Sequence, residues 1–247
     1  MIILFTDFGL AGPYIGQVLA VLYCNAPGIP VVNLQADAPT SDPLSAAYLL
    51  AAYVPAFPTG SVFLCVVDPG VGSARLPLVV LADSTWFVAP DNGLLELVMR
   101  RAAVVQASVI TWQPSQLSAS FHGRDLFAPI AARLARGQDV PGQIVMSRQS
   151  LSRPDWPDDL PAIVYIDKFG NGVTGLRAAA VDRSAILGCH CHNNTYRLRW
   201  ARTFSAVPVG VAFWYENANG LVEIAVNQGR AVDQLGLTIG THVSRSA

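Results

Sequence analysis

Residues 62–75 read VFLCVVDPGVGSAR, six apolar residues running straight into Asp68, Pro69 and Gly70. A short run that is apolar throughout is what a strand covered on both faces looks like. Asp-Pro-Gly then ends it in a turn. Runs of the same kind occur at IILFT (2–6), LVVLA (78–82) and AIVYI (162–166). Between and after the first of them lie helix-compatible stretches at Tyr14 to Tyr23, Leu44 to Tyr53, Gly93 to Arg101 and Leu126 to Arg136. Strands thus alternate with helices through the first 136 residues. The alternation predicts an α/β domain with a mainly parallel central sheet.

The character changes after Gly137. SLSRPDWPDDLP at 150–161 is polar and carries Pro154, Pro157 and Pro161, which suits a linker. Beyond it VYIDKFGNGVTGL, TYRLRWARTF, VGVAFWYENANGLVEIAVNQG and LGLTIGTHVS alternate apolar with polar residues, broken by Gly and Asn. Helical periodicity is missing there, and a small β-barrel is expected. The division read from the chain is an α/β catalytic domain over 1–150, a linker over 151–161 and a β-barrel over 162–247.

With 16 Lys plus Arg against 17 Asp plus Glu, the net charge of −1 offers no field to gather nucleic acid or an anionic membrane. Only 13% of the 247 residues are charged while 52% are hydrophobic, an apolar surplus most simply covered by subunit contacts in a homo-oligomer. Four cysteines in a chain that folds without staples suit a reducing cytoplasm. The opening MIILFTDFGL has no basic start and carries Asp7 inside its apolar stretch, which argues against secretion. The apolar run from Ala46 to Phe57 is too short to cross a bilayer, so a soluble protein is expected.

Several segments can carry chemistry, and each also has a structural reading. Asp7, at the end of the first strand, either caps the next turn or accepts bonds from two sugar hydroxyls off the carboxyl end of the sheet. Asp68 and Arg75 flank a turn with two glycines that let backbone N–H groups approach a ligand; alternatively they form a surface ion pair. The segment is neither a dinucleotide fingerprint nor a phosphate loop. FHGRD at 121–125 sets His122 in an apolar stretch before a helix, where an imidazole can exchange a proton near neutrality. Asp167 and Asn171 flank a Gly turn; Asn offers the donor and acceptor that match an adenine edge, and both residues also suit a plain β-turn. CHCH at 189–192 puts Cys189 and Cys191 on one face of a strand and His190 and His192 on the other. Two ligands per face fall short of what zinc needs, so no metal is expected.

Taken in order, FTDFG, PYIGQ, VVDPGVGSAR, PDNGLL, FHGRD, IDKFGN and EIAVNQG resemble the S-adenosylmethionine hydrolase family, also called SAM hydroxide adenosyltransferases, relatives of the fluorinase and chlorinase. The resemblance runs from Ile2 to about Leu237 and is most specific in the Asp-Pro-Gly-Val-Gly segment with its Arg and in His-Gly-Arg-Asp. It implies an N-terminal α/β domain, a C-terminal barrel, and a homotrimer with active sites between subunits. The implied reaction is attack of water or hydroxide on C5′ of S-adenosylmethionine, giving adenosine and methionine without a cofactor. By that resemblance Asp68, Arg75 and His122 handle the water. Asp7 takes the ribose hydroxyls, Asn171 the adenine edge and Asp167 the methionine ammonium. Tyr215, Glu223 and the backbone around Asn227 close the adenine and amino-acid ends. Two departures stand out: Ala218 replaces the Ser of the tip that meets the methionine carboxylate in relatives, and VVNLQADAPTSDP lacks their Asp-x-Thr-His run. Halide transfer, and a binding protein without turnover, remain as alternative readings.

Overall fold

A computed structural model describes residues 1–191 and 194–246. The chain divides into two compact units, Met1–Asp155 and Trp156–Ala247.

In the first unit a seven-stranded sheet has the order β2-β1-β3-β5-β4-β6-β7. The strands are β1 (Ile2–Thr6), β2 (Val31–Gln35), β3 (Val62–Val66), β4 (Pro77–Ala82), β5 (Thr85–Pro90), β6 (Val105–Ile110) and β7 (Gln143–Met146). The pairings β1–β2, β1–β3 and β3–β5 are parallel. Those of β4 with β5 and with β6, and of β6 with β7, are antiparallel. The parallel half is the part that strand–helix alternation anticipates. The antiparallel half arises because β4 and β5 are joined directly at Asp83-Ser84, both with positive φ (44° and 67°). Asp tolerates that region better than most residues, and its carboxylate here takes the N–H groups of Ala103 and Val104.

Every residue of β1 and β3 is buried, as their unbroken apolar runs imply. Successive side chains face opposite sides. Ile2 and Leu4 with Val62, Leu64 and Val66 join a cluster that includes Val18 and Leu22 of α1 (Tyr14–Asn25) and Ile130 and Leu134 of α4 (Ala128–Ala135). On the other side Phe5 meets Tyr53 of α2 (Pro43–Tyr53), and Phe63 stacks on Phe87 at 5.1 Å. Each such side chain contributes roughly 1.5–3 kcal/mol through burial. The layers hold β1 and β3 in rigid register, Thr6 beside Val66. Two short helices, α3 (Glu96–Arg101) and α5 (Arg148–Leu151), complete the unit.

The second unit is a closed barrel in the order β10-β11-β12-β13-β9-β8-β14. Its strands are β8 (Leu160–Ile166), β9 (Gly172–Arg177), β10 (Ile186–Cys191), β11 (Asn194–Trp200), β12 (Ala212–Glu216), β13 (Leu221–Val226) and β14 (His242–Ser246), with α6 (Ala231–Leu235) between the last two. Closure leaves no free strand edge. The alternation read at 189–191 is observed: Cys189 and Cys191 face the barrel core with Sγ atoms 3.4 Å apart, while His190 is exposed beside His242. His192, the last member of that segment, lies outside the described residues.

Candidate functional site

In register, β1 and β3 deliver Asp7 and Asp68 side by side at their carboxyl ends, with the Asp7 N–H donating to Val66 O at 3.4 Å. Ligands of open α/β sheets bind at such ends. The chain from 67 to 76 is pinned at both ends by PDNGLL. Asn92 Nδ2 donates to Val67 O at 2.8 Å and the Asp91 N–H donates to Leu76 O at 2.8 Å. Within it Gly72 has φ +80°, and a Cβ there would lie 2.7 Å from Ala119 O, so both the turn and the close approach require glycine.

This folding turns Arg75 back onto Asp68. Arg75 Nε donates to both carboxylate oxygens at 3.1 and 2.9 Å, and Nη2 donates to Oδ2. The same Nη2 lies 3.0 Å from His122 Nδ1. The pair is no exposed surface bridge, since the side chains of Arg75 and Asp68 are 9% and 4% exposed. Arg75 also lies over the Phe127 ring at 5.2 Å. His122 stands at the mouth of a π-helical turn, Gly123–Phe127, that leads into α4. Pro129, whose ring would press on the carbonyl four residues back, follows that turn, and the wider winding accommodates it. Burial and the neighbouring Arg75 charge hold His122 below the usual imidazole range, against a smaller opposite pull from Asp68 and Asp125. A guanidinium only donates, so Nδ1 is the acceptor and the neutral ring carries its proton on Nε2.

Asp7 faces a cleft of about 540 Å³ lined also by Phe8, Tyr14, Gln17, Ser118, Ser120, Phe121 and Arg124. One Asp7 oxygen accepts the N–H of Ser41 at 2.9 Å, from the 31–43 segment that departs from the family pattern. Burial raises the Asp7 carboxyl above its ordinary range, and the nearby Asp68 charge adds to this.

The second unit gathers another group. Asp167, Asn171, Tyr215 and Glu223 line one cavity of about 670 Å³ with Phe169, Arg230 and the Asn217-Ala218-Asn219 tip. Asn171 donates to Asp167 through both its backbone N–H (2.8 Å) and its amide (3.1 Å). Tyr215 O–H donates to Glu223 Oε1, and Asn217 Nδ2 donates to Oε2 at 3.0 Å. Burial raises the Glu223 carboxyl; burial and then Glu223 raise the Tyr215 phenol. Asn227 does not line this cavity. Its amide donates to Val207 O at 2.7 Å, and its backbone groups bond Gly210 and Val211. The following Gln228 and Gly229 do line it.

The structure therefore brings Asp68, Arg75 and His122 into one hydrogen-bonded chain next to Asp7, and separately collects Asp167, Asn171, Tyr215 and Glu223. Sequence reasoning passed over Phe8, Tyr14 and Phe121 as cleft residues. The signal was present, since all three lie inside segments that carry the resemblance, but aromatic residues read first as core.

Residues 2–143 match the SAM hydroxide adenosyltransferase N-terminal domain and residues 161–244 its C-terminal domain. The chain is 39% identical to an (R)-S-adenosyl-L-methionine hydrolase of Thermus thermophilus, across 96% of each chain. It is 35% identical to one of Salinispora arenicola, across 98% of this chain and 96% of that protein. The crystal structure of an uncharacterized conserved protein from Thermotoga maritima superposes with a TM-score of 0.88 at 27% identity, each chain covered in full. That of a conserved hypothetical protein from Thermus thermophilus gives 0.77 at 34% identity, with 99% of each chain covered. With both of its domains matched in order and relatives aligned end to end, this chain belongs to the SAM hydroxide adenosyltransferase family.

Proposed function

We propose that the protein hydrolyses S-adenosyl-L-methionine to adenosine and L-methionine, by attack of water on the ribose C5′. The observation that carries this reading is the buried Asp68–Arg75–His122 chain at the carboxyl ends of β1 and β3, beside Asp7. The leaving group departs from a sulfonium as a neutral thioether, so it needs neither an acid nor a Lewis acid. All catalytic demand falls on the nucleophile. A water oxygen bonds to C5′, the C5′–S electron pair passes to sulfur, and one water proton is lost.

The contacts divide the labour. His122, with Nδ1 occupied by Arg75, acts through Nε2–H as a donor that holds the water oxygen, not as the proton acceptor. Asp68 accepts Arg75 Nε on both oxygens and Nη2 on Oδ2, which leaves Oδ1 a further lone pair, and that oxygen receives the proton. Arg75 stabilises the negative charge of the hydroxide as it forms. Fixing the water in line with the C5′–S bond supplies a proximity contribution of several kcal/mol.

Asp7 takes the ribose hydroxyls; Asn171, Tyr215 and Glu223 with the turn after Asn227 take the adenine, and Asp167 takes the ammonium. A homotrimer with active sites at subunit interfaces completes the reading. Exposed apolar side chains on β7, Ile144 and Val145, are among the surfaces such contacts would cover. Four free thiols suit a reducing compartment such as the cytoplasm. Among the described residues no helix is long and apolar enough to cross a membrane. Halide transfer is not favoured, since the similar relatives are named hydrolases. Incubation with S-adenosylmethionine and chromatography of the products tests the proposal. Adenosine forming in proportion to enzyme, and lost in His122→Ala, is expected; no adenosine above that control overturns it.

A further inference from the structure

Three aromatic rings meet at the Asp7 cleft. Phe8, Tyr14 and Phe121 all line it, with ring centroids 6.4 Å apart for Phe8–Tyr14, 5.6 Å for Phe8–Phe121 and 5.3 Å for Tyr14–Phe121. Their setting is constrained. A Cβ on Gly123 would lie 2.8 Å from the Phe8 ring, so the backbone after His122 is pressed against it. Tyr14 opens α1 and is half exposed.

The charges around the cleft leave one negative group unanswered. Arg124 lies over the Phe121 ring at 5.0 Å, but its charge is met by Asp125, through Nε at 2.6 Å and Nη2 at 3.0 Å. Arg124 also donates to Gln17 at 2.7 Å. Among the described residues Asp7 has the N–H groups of Ser41 and of its own backbone but no ion-pair partner, and burial, with Asp68 as a like-charged neighbour, raises its carboxyl. A cation in the cleft would relieve that cost. Rings present their negative faces to cations, and small onium groups are recognised this way.

We infer that Phe8, Tyr14 and Phe121, with Asp7, form a subsite that recognises the sulfonium of the substrate and discriminates it from neutral thioethers. This rests on the proposed adenosyl substrate. Its geometry follows from the reaction: with the water about 3 Å from C5′ and sulfur in line on the far side, sulfur lies roughly 5 Å from the water. A Cβ on Gly123, the residue after His122, would lie 2.8 Å from the Phe8 ring and 3.6 Å from the Phe121 ring, so both rings stand against the backbone that carries His122.

The consequence for turnover is specific. The sulfonium loses its charge in the transition state, so attraction to the rings is stronger for bound substrate than for the transition state. These rings therefore lower KM and do not raise kcat. After the C–S bond breaks, the neutral methionine thioether loses the attraction and leaves. Phe8, Tyr14 and Phe121 thus set specificity and product release, while the nucleophile residues set the chemical step.

The test compares two analogues by calorimetry: sinefungin, in which a carbon bearing an ammonium group replaces the methylated sulfonium, and S-adenosylhomocysteine, a neutral thioether there. Wild type is expected to favour the cation by roughly 3- to 30-fold. Tyr14→Leu should bring that ratio close to one with S-adenosylhomocysteine affinity held within about twofold, and should raise KM without lowering kcat. Tyr14→Phe should retain the preference. Tyr14 is chosen because its half-exposed ring leaves the core intact, whereas Phe8 is wedged against Gly123. Absence of a cation preference in wild type, or an unchanged ratio in Tyr14→Leu, overturns the inference while leaving the adenosyl reading in place. If neither analogue binds, the adenosyl reading itself fails and the inference falls with it.

Discussion

Replacing Arg75 by Met removes a cation from above a carboxylate that is 4% exposed. The guanidinium donates three bonds to Asp68 and lies 3.0 Å from His122 Nδ1, so the change strips one partner from a buried, hydrogen-bonded pair. Breaking such a pair costs about 3–5 kcal/mol, because the remaining charge is buried alone. For a unit of this size each kcal/mol moves the midpoint by about 2–4 °C, which gives a fall of roughly 6–20 °C. The reverse replacement, Asp68→Asn, leaves an amide oxygen that still accepts from Arg75 and should cost less. The double variant, Asp68→Asn with Arg75→Met, removes both charges and should recover about 1–3 kcal/mol relative to the sum of the singles. Scanning calorimetry on all four proteins, with circular dichroism to confirm that each is folded, measures the cycle. An Arg75→Met loss below about 1 kcal/mol, or single effects that add within about 0.5 kcal/mol, would refute the view that the pair is a buried unit.

Other expectations follow from neighbouring groups. Asp7→Asn should stabilise the fold at neutral pH: a carboxyl raised above its unfolded value gives its stability only below that value and loses it as pH rises, and Asn still accepts the Ser41 N–H. The same change should weaken adenosine binding by roughly tenfold or more in calorimetry, through loss of a charged acceptor. His122 is lowered in the folded state, so its contribution to stability is present above the ordinary imidazole value and falls away as pH drops toward the folded value. The acidic limb of kcat/KM should accordingly lie below 6.5 and shift upward in Arg75→Gln, where one of the two lowering causes is gone. Gly72→Ala should cost about 1–3 kcal/mol in urea unfolding and reduce kcat, since it forces a side chain against Ala119 O at a positive φ.

The parts legible in the sequence were those set by local periodicity and by spacing. The unbroken apolar runs at 2–6 and 62–66 are strands buried on both faces, and the Gly-punctuated alternation after 160 is a closed barrel. Asp68, Arg75 and His122 stood out because polar groups sat beside glycines right after apolar runs. What escaped depended on long-range geometry. The antiparallel half of the sheet turns on Asp83-Ser84, a hairpin without the usual glycine, whose support comes from N–H groups twenty residues away. That Asn227 serves its own turn, leaving the cavity wall to Gln228 and Gly229, depends on the carbonyl of Val207, which no spacing rule reveals. Phe8, Tyr14 and Phe121 were hidden for a different reason: an aromatic ring beside an apolar strand carries the same signal whether it fills a core or walls a cleft.

The division of labour among Asp68, Arg75 and His122 makes water the nucleophile and C5′ its target. Turnover of S-adenosylmethionine in water enriched with ¹⁸O, followed by mass spectrometry of both products, tests this most directly. The predicted result is adenosine carrying one ¹⁸O at its 5′ hydroxyl with unlabelled methionine. Label in methionine, or adenosine formed without it, would contradict attack of water at that carbon.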